Sequence, residues 1–182
     1  MRITGGKLKG RIVNCPDGII RPAMDRMRES VFAILGDLSG KSWLDLFSGS
    51  GTIAIEAVSR GASSVQLCEK DKLKTKQILQ NVSMTEKECG VKIACHFVSV
   101  ELFLKRCRDK FDYIFLDPPF PYKFRAQLLQ TISERKLLNP NGTVLIHYPS
   151  EDALLDEIDS LILSDKRIYG RSIVNFYKEK EP

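Results

Sequence analysis

Residues 112–120 read DYIFLDPPF and join a short apolar run to an acidic turn that is rich in proline. The run from Tyr113 to Leu116 is rich in β-forming side chains, which is typical of a strand buried on both faces of a sheet. The strand must end at Asp117, because the two prolines that follow cannot donate ladder hydrogen bonds. The pattern therefore predicts a carboxylate and an aromatic ring at the C-terminal edge of a buried strand, where open α/β sheets bind ligands.

This turn has the chemistry to hold a planar amino group. Asp117 and the carbonyl of Pro118 can accept the hydrogens of such a group, while Phe120 can stack on the ring that carries it. The alternative is a simple strand-ending turn whose aspartate is solvated. A functional interpretation needs a second motif, and residues 45–51 provide one.

Residues 45–51 read DLFSGSG and lie between a predicted strand and a predicted helix. Glycines at this place let the backbone approach a ligand directly in front of a helix. About twenty residues further on, Glu69 ends the next predicted strand, where a carboxylate can hold ribose hydroxyls. Enzymes that bind NAD use a similar loop, but the third glycine of their fingerprint is missing here.

From residue 42 onward, predicted strands and helices alternate along the chain. Strands are predicted at 43–47, 65–68, 92–98, 112–116, 143–147, 166–169 and 172–177, and helices at 52–60, 73–87, 100–108, 126–134 and 152–161. Alternation of this kind predicts an α/β fold with a mostly parallel, Rossmann-like sheet covered by helices on both faces. The last two strands are joined so tightly that they must be antiparallel. A turn is predicted at 139–142.

The N-terminal segment carries most of the net charge. The chain has a formal net charge of +5, and residues 1–30 account for +4 of it. We predict a small basic extension over residues 1–36, with a hairpin at 2–13, a turn at 16–18 and a helix at 25–35, followed by the main domain at 37–182. Asp25 is predicted as the N-cap of this helix.

A basic extension on a nearly neutral body is typical of a protein that binds a polyanion, although a solvated face is the alternative. The side chains expected to contact RNA phosphates are Arg2, Lys7, Lys9, Arg11, Arg21, Arg26 and Arg28. The residues Arg26 and Arg28 lie off the apolar stripe of the predicted helix and are expected to be free to face a ligand, and no acid stands next to the first four.

Composition excludes several classes of protein. The chain has 182 residues, of which 43% are hydrophobic and 28% charged, which predicts one soluble globular domain with a small appendage. We expect no membrane span and no secretory signal, so the default compartment is the cytoplasm. We also expect a monomer. The five cysteines are scattered, and the two histidines, His96 and His147, are interpreted as strand residues, so no metal site is expected.

Together, residues 45–51, Glu69 and residues 117–120 resemble the motifs of class I S-adenosylmethionine-dependent amino-methyltransferases. Residues 2–11 (RITGGKLKGR) and 21–29 (RPAMDRMRE) resemble more narrowly the RsmD group of bacterial enzymes. These methylate N2 of one guanine in small-subunit (16S) ribosomal RNA. The resemblance covers nearly the whole chain. It implies S-adenosyl-L-methionine as cofactor and ribosomal RNA, or the assembling small subunit, as partner.

The resemblance also implies a role for each motif. The residues that would hold the cofactor are Asp45, Phe47, Ser48, Gly49, Ser50, Gly51, Glu69, Ser99, Val100 and Asp117. Those that would hold the guanine are Asp117, Pro118, Pro119 and Phe120. The family often places an acid or an asparagine near the adenine amino group, at the position that Ser99 occupies here. Adenine recognition is therefore expected to depend more on backbone groups.

Three other functions stay open at this point. A DNA adenine-N6 methyltransferase uses a similar turn, but the chain shows no separate target-recognition domain. A non-catalytic RNA-binding assembly factor would be expected to have lost Asp117 or the glycine loop, and both are intact. An NAD-dependent oxidoreductase would be excluded by a cofactor-binding test.

Overall fold

The computed structural model describes residues 1–15 and 22–180. The helices are α1 (Pro22–Leu35), α2 (Thr52–Ser59), α3 (Thr75–Cys89), α4 (Val100–Arg106) and α5 (Arg125–Glu134). The strands are β1 (Ser42–Leu46), β2 (Ser64–Cys68), β3 (Ile93–His96), β4 (Phe111–Leu116), β5 (Leu138–Pro149), β6 (Glu157–Ile158), β7 (Leu161–Tyr169) and β8 (Ser172–Glu179). None of the described helices is both long and apolar enough to cross a membrane.

The strands form one sheet in the order β3-β2-β1-β4-β5-β8-β7-β6. The five strands from β3 to β5 are parallel, and β8 is antiparallel to both of its neighbours, β5 and β7. The strand order reverses between β1 and β4, where Leu46 pairs in register with Leu116. The loops that follow these two strands therefore open at one edge, at the switch point where α/β sheets bind ligands. The predicted fold class is confirmed.

Side chains alternate between two apolar clusters, one on each face of the sheet. Trp43 and Phe115 belong to the cluster covered by α1, α2 and α3, whereas Leu44 and Leu116 belong to the cluster covered by α4 and α5. Burial on both faces explains why the central strands are continuous apolar runs in the sequence.

The N-terminal segment packs into the first of these clusters. Ile3, Leu8 and Val13 are buried, and Phe32 of α1 stacks on Trp43 with ring centroids 5.2 Å apart. The predicted hairpin runs back on itself as expected, but it contains one antiparallel bridge, at Arg2, rather than two strands. The domain boundary near residue 36 stays a prediction, and the residues on either side of it share one hydrophobic core.

A buried carboxylate attaches this segment to α2. Glu56 is completely buried and accepts hydrogen bonds from the backbone N–H and the hydroxyl of Thr4, at 2.9 and 2.7 Å, and from the N–H of Gly5 at 2.9 Å. Arg60 also donates to it at 2.9 Å, and the Nε of Arg28 lies 3.6 Å away. A buried charge is tolerated where so many donors replace its lost hydration.

The helix predicted at 152–161 is wrong. The chain instead forms β6 and turns directly into β7, with Asp159 at a positive φ of 52° in the turn. Leu155, in the middle of the predicted helix, is 72% exposed. Asp152 is held by an ion pair to Arg125 of α5, so tertiary contacts override the helical pattern here.

Two strands and one helix begin at least three residues earlier than predicted. β5 starts at Leu138, so the predicted turn at 139–142 lies inside an irregular part of the strand, where Asn141 has a φ of 63°. β7 starts at Leu161 rather than at residue 166. α1 starts at Pro22, as proline at a first helical position allows, so Asp25 lies in the first turn and is not the N-cap. The turn predicted at 16–18 lies outside the described residues.

We predict that Glu56→Ala lowers the free energy of unfolding by about 3–5 kcal/mol, because it leaves the buried Arg28 and the partly buried Arg60 without their common partner. Urea denaturation measures this loss. Glu88→Ala is a matched control, since Glu88 pairs with Arg11 at the surface and its removal should change stability by less than about 1 kcal/mol. Equal losses in the two variants would contradict the importance of the Glu56 network.

Candidate active site

A cavity of about 700 Å³ opens at the C-terminal ends of β1, β2 and β4. Its walls are formed by Phe47, Gly49, Glu69, Lys70, Asp71, Lys72, Leu73, Lys74, Val100, Glu101, Asp117, Pro119 and Tyr122. The volume is within the range of sites that hold a cofactor-sized ligand. Four loops of the fold thus meet at this cavity.

The loop after β1 forms the floor of the cavity. Phe47 has a φ of 63°, an unusual conformation for a residue with a side chain and one that is frequent at functional sites. The N–H of Gly49 donates to the Oε2 of Glu69 at 2.8 Å, which ties this loop to the end of β2. Gly51, at a φ of 79°, is the N-cap of α2, so the N-terminus of a helix stands directly behind the loop.

Glu69 joins two loops and still faces the cavity. Its Oε1 accepts a hydrogen bond from the N–H of Asp71 at 2.8 Å, and Lys74 lies 3.6 Å from its Oε2. The side chain is nearly buried, so its orientation is well defined. Each carboxylate oxygen can accept more than one hydrogen bond, which leaves capacity for two ribose hydroxyls.

Asp45 lies beneath the loop rather than in the large cavity. Its carboxylate accepts a hydrogen bond from the N–H of Ala54 at 3.0 Å and so anchors the first turn of α2. Burial raises the pKa of Asp45 well above its usual value, and the nearby charges of Asp117 and Glu69 act in the same direction. Asp45 also lines a second, smaller cavity of about 100 Å³.

Asp117 lies where the two cavities meet. It lines both of them, and its N–H donates to the carbonyl of Leu46 at 3.3 Å, which extends the pairing of β4 with β1. Its Oδ1 is 2.8 Å from the Nδ1 of His147, a nearly buried residue of β5. The ring of Phe120 stands edge-on to the same imidazole, with centroids 5.8 Å apart. The turn after β4 is thus folded against β5.

A buried arginine fixes the far side of this turn. Arg125, at the start of α5, donates to the carbonyl of Phe120 at 2.7 Å and to that of Pro119 at 3.3 Å. Both of these bonds come from Nη2, and Nη1 donates to the Oδ2 of Asp152 at 2.5 Å. The guanidinium therefore holds the proline turn in one conformation, as a planar fork of donors can do.

Tyr122 and Glu101 line the cavity and are hydrogen-bonded to each other. The tyrosine hydroxyl donates to the Oε1 of Glu101 at 2.6 Å, and its ring stands edge-on to Phe47, with centroids 5.3 Å apart. Burial and the bond to Glu101 both raise the pKa of Tyr122. Burial alone would raise the pKa of Glu101. The hydrogen bond from Tyr122, together with smaller contributions, outweighs burial, so the pKa of Glu101 is lowered.

Residues 1–178 match the model of a protein family described as conserved hypothetical protein 95. The chain belongs to this family. Ribosomal RNA small subunit methyltransferase D of Escherichia coli strain K12 is 33% identical over 182 residues, covering 99% of this chain and 90% of that protein. The protein of the same name from Haemophilus influenzae is 28% identical over 172 residues, covering 91% and 88%.

A solved structure from Escherichia coli, that of the yhhF protein, superposes on this chain with a TM-score of 0.88 at 25% identity. The superposition covers 100% of this chain and 99% of the other. The predicted family and the methyltransferase class of enzyme are confirmed at the level of the family.

Most of the residues that the family resemblance assigns to the cofactor are divided between the two cavities. The large cavity is lined by Phe47, Gly49, Glu69, Val100 and Asp117, and the small cavity by Asp45, Ser48 and Ser50 in addition to Phe47, Gly49 and Asp117. The hydroxyl of Ser99 caps α4 by accepting from the N–H of Leu102 at 3.3 Å. Of the guanine set, Pro119 lines the large cavity and Pro118 is buried below it.

The expectation that Arg28 is free to contact RNA is wrong. Arg28 is only 3% exposed and is paired with Asp25 at 3.1 Å as well as with Glu56, so it is not free to face RNA. The expectation that no acid lies near the first basic residues is also wrong, since Glu88 forms an ion pair with Arg11, and its carbonyl accepts from Lys7 at 2.7 Å.

The other basic residues of the set keep the exposure that RNA contact would need. Arg2, Lys9 and Arg26 are exposed, and Arg21 lies outside the described residues. Sequence reasoning missed a second basic group, because Lys70, Lys72 and Lys74 line the large cavity. A lysine at every second position from residue 70 to residue 76 could have revealed it.

Sequence reasoning also missed Glu101, Arg125 and His147. Glu101 is the acid in the first turn of α4 and could have been identified from that position. Arg125 and His147 carry no local signal, because the side chains that they pair with, Asp152 and Asp117, are far away in the sequence.

We predict that Asp45→Asn changes how stability depends on pH. The unfolded carboxyl titrates near pH 4, whereas the folded one has a raised pKa, so between these values the folded wild type binds more protons than the unfolded chain. The contribution of Asp45 to the free energy of unfolding of the wild type is therefore lost as pH rises from about 4. Urea denaturation across this range should show the variant gaining stability relative to wild type. A difference that does not change with pH would contradict the prediction.

Proposed function

We propose that this chain transfers a methyl group from S-adenosyl-L-methionine to N2 of a guanine in small-subunit ribosomal RNA. The observation that carries the proposal is the position of Asp117. Its carboxylate follows a buried strand and lines the same cavity as Glu69 and the loop after β1. The curated relatives named above, which cover nearly the whole chain, support the choice of ribosomal RNA as substrate.

The residues of the large cavity fit the parts of this cofactor. Glu69 has free acceptor capacity for the ribose hydroxyls, and Phe47 and Gly49 lie where the methionine part would reach the N-terminus of α2. We assign the adenine amino group to Glu101 rather than to Ser99. Glu101 lines the cavity with a carboxylate, whereas the hydroxyl of Ser99 is used within α4.

The bound cofactor supplies an electrophilic methyl group, so the protein has mainly to align the guanine for in-line displacement. The lone pair of N2 is delocalised into the guanine ring and is a weak nucleophile. A hydrogen bond from N2–H to Asp117 favours a pyramidal nitrogen and stabilises the positive charge that develops during transfer. The new N–C bond forms as the bond between the methyl carbon and the sulfonium sulfur breaks, and the N2 proton is released to water.

The guanine must leave its stack to reach Asp117, as bases do in enzymes that modify them. Phe120 is partly exposed beside Asp117 and can replace the lost stacking, which is worth about 1–3 kcal/mol. The hydrogen bond from Arg125 to the carbonyl of Phe120 holds the backbone from which this ring projects.

Two basic surfaces can hold the RNA around this site. The exposed arginines and lysines of the N-terminal segment form one, and the lysines from residue 70 to residue 74 form the other at the cavity. Neutralisation of phosphates by such side chains releases counterions and makes binding depend on salt.

The five cysteines are all free thiols, which supports a reducing compartment such as the cytoplasm. That the enzyme is a monomer and needs no metal ion stays a prediction. The turn after β4 also suits the exocyclic amine of adenine in DNA, so duplex DNA is the substrate to compare.

We predict that Asp117→Asn lowers the rate of methyl transfer by roughly 10²–10³, because asparagine keeps the shape and a carbonyl acceptor but loses the charge. Single-turnover assays with unmethylated 16S ribosomal RNA, or small subunits, at saturating cofactor measure this rate. Calorimetry should show nearly unchanged cofactor affinity. Phe120→Ala should weaken RNA binding more than it slows transfer.

Transfer at the wild-type rate by Asp117→Asn would remove the carboxylate from the mechanism. Wild-type activity on duplex DNA, with none on ribosomal RNA, would favour the adenine methyltransferase instead. Absence of any binding of S-adenosylmethionine to the wild-type protein would reject both.

We further predict that replacing Arg2, Lys7, Lys9 and Arg11 with serine flattens the salt dependence of RNA binding, by about 0.7–0.9 in slope for each phosphate that is no longer neutralised. Filter binding at several salt concentrations measures the slope. A matched control replaces four exposed basic residues elsewhere, Lys105, Arg106, Arg108 and Lys110, with serine. If both variants change the slope equally, the N-terminal segment has no special part in RNA binding.

A further inference from the structure

His147 is a buried polar residue that the proposed mechanism does not use. It is only 4% exposed and lies in β5 between apolar residues, with Leu145 and Ile146 fully buried. Its Nε2 is buried and has no hydrogen-bond partner within the described residues. An apolar side chain would be expected to suit this place better, and locally unfavourable choices of this kind are typical of functional sites.

The register of the sheet brings His147 to Asp117. Leu116 pairs with Ile146 across the parallel strands β4 and β5, so the next residue on each strand is again adjacent. The Nδ1 of His147 and the Oδ1 of Asp117 are 2.8 Å apart. His147 lies within β5, and Asp117 follows directly after the last residue of β4, so two paired strands fix the backbone on both sides of this contact, which gives it the precision that a catalytic site requires.

The direction of this hydrogen bond follows from its chemistry. An ionised carboxylate can only accept, so Nδ1 must carry the proton that it donates. The bond occupies Oδ1 and leaves Oδ2 for the substrate. Without it, the carboxylate could turn about its last torsion, which has only broad minima.

We propose that His147 is the positioning residue of Asp117: it orients the carboxylate so that Oδ2 faces the amino group to be methylated. The inference rests on the proposed function, because Asp117 must be the group that meets that amine. The same imidazole also packs against the ring of Phe120. His147 therefore sets the spacing between the hydrogen-bond acceptor and the stacking surface of the base.

Two substitutions separate this role from simple packing. His147→Leu fills the space but cannot donate, and it should lower the single-turnover rate about 10- to 100-fold at saturating RNA and cofactor, the usual effect of losing a hydrogen bond to a charged group. The KM values should change little. His147→Asn places an amide N–H near the position of Nδ1 and should recover most of the rate. His96→Leu, which alters the half-buried histidine of β3, is the matched control and should keep wild-type activity.

A double-mutant cycle tests whether His147 acts through Asp117. If it does, His147→Leu should slow transfer in the wild-type background but hardly at all in Asp117→Asn, where the charge to be oriented is gone. Multiplicative losses, or equal losses in the Leu and Asn variants, would overturn the proposal in favour of a structural role. Wild-type transfer by folded His147→Leu would also overturn it.

Tautomer assignment gives a test that needs neither activity nor a folded leucine variant. In ¹⁵N spectra of the unliganded wild-type protein, the Nδ1 of His147 should be protonated, and loss of its signals in His147→Asn identifies them between the two histidines. An Nδ1 without a proton would overturn the proposal. A wild-type protein that transfers no methyl group to ribosomal RNA would reject the proposed function and this inference together, whereas active wild type with an unaffected His147→Leu rejects the inference alone.

Discussion

The hydrogen bonds to the buried carboxylate of Glu56 fix the arrangement of the site. Glu56 lies in α2, the helix whose N-terminus supports the loop at Phe47–Gly51, and it is bound by the backbone of Thr4 and Gly5. The N-terminal segment is therefore attached to the same short helix that supports the loop after β1. A buried charge with several donors is costly to disturb, so the segment and the loop hold one relative position.

Three other carboxylates stand at the ends of neighbouring strands, and their surroundings give them different chemistry. Asp45 is fully buried and accepts a hydrogen bond from a backbone N–H, and burial raises its pKa. Glu69 is held by two backbone N–H groups of the loops it joins. Asp117 is partly exposed and is held by an imidazole. Carboxylates thus serve as a structural anchor at Asp45 and, in the proposed function, as a ligand for hydroxyls at Glu69 and an acceptor at Asp117.

The turn after β4 shows how support from distant elements makes a local motif usable. Proline and aspartate alone end the strand, but the orientation of the turn depends on Arg125 of α5 and His147 of β5. Arg125 is in turn fixed by Asp152, in a segment that was wrongly predicted as a helix. The sequence contained every member of this set, yet none of the three pairings follows from spacing.

The mostly parallel sheet, the succession of its central strands and helices, and the motifs at the strand ends could all be predicted from the sequence, because apolar runs, glycines and prolines act on their own neighbours. Three features could not: Arg28 is buried against Glu56, Glu101 rather than Ser99 lines the cavity, and residues 157–158 and 161–165 belong to the sheet. Each of these depends on packing between residues far apart in the chain. Local propensity is too weak to determine such packing, since burial and pairing energies outweigh it.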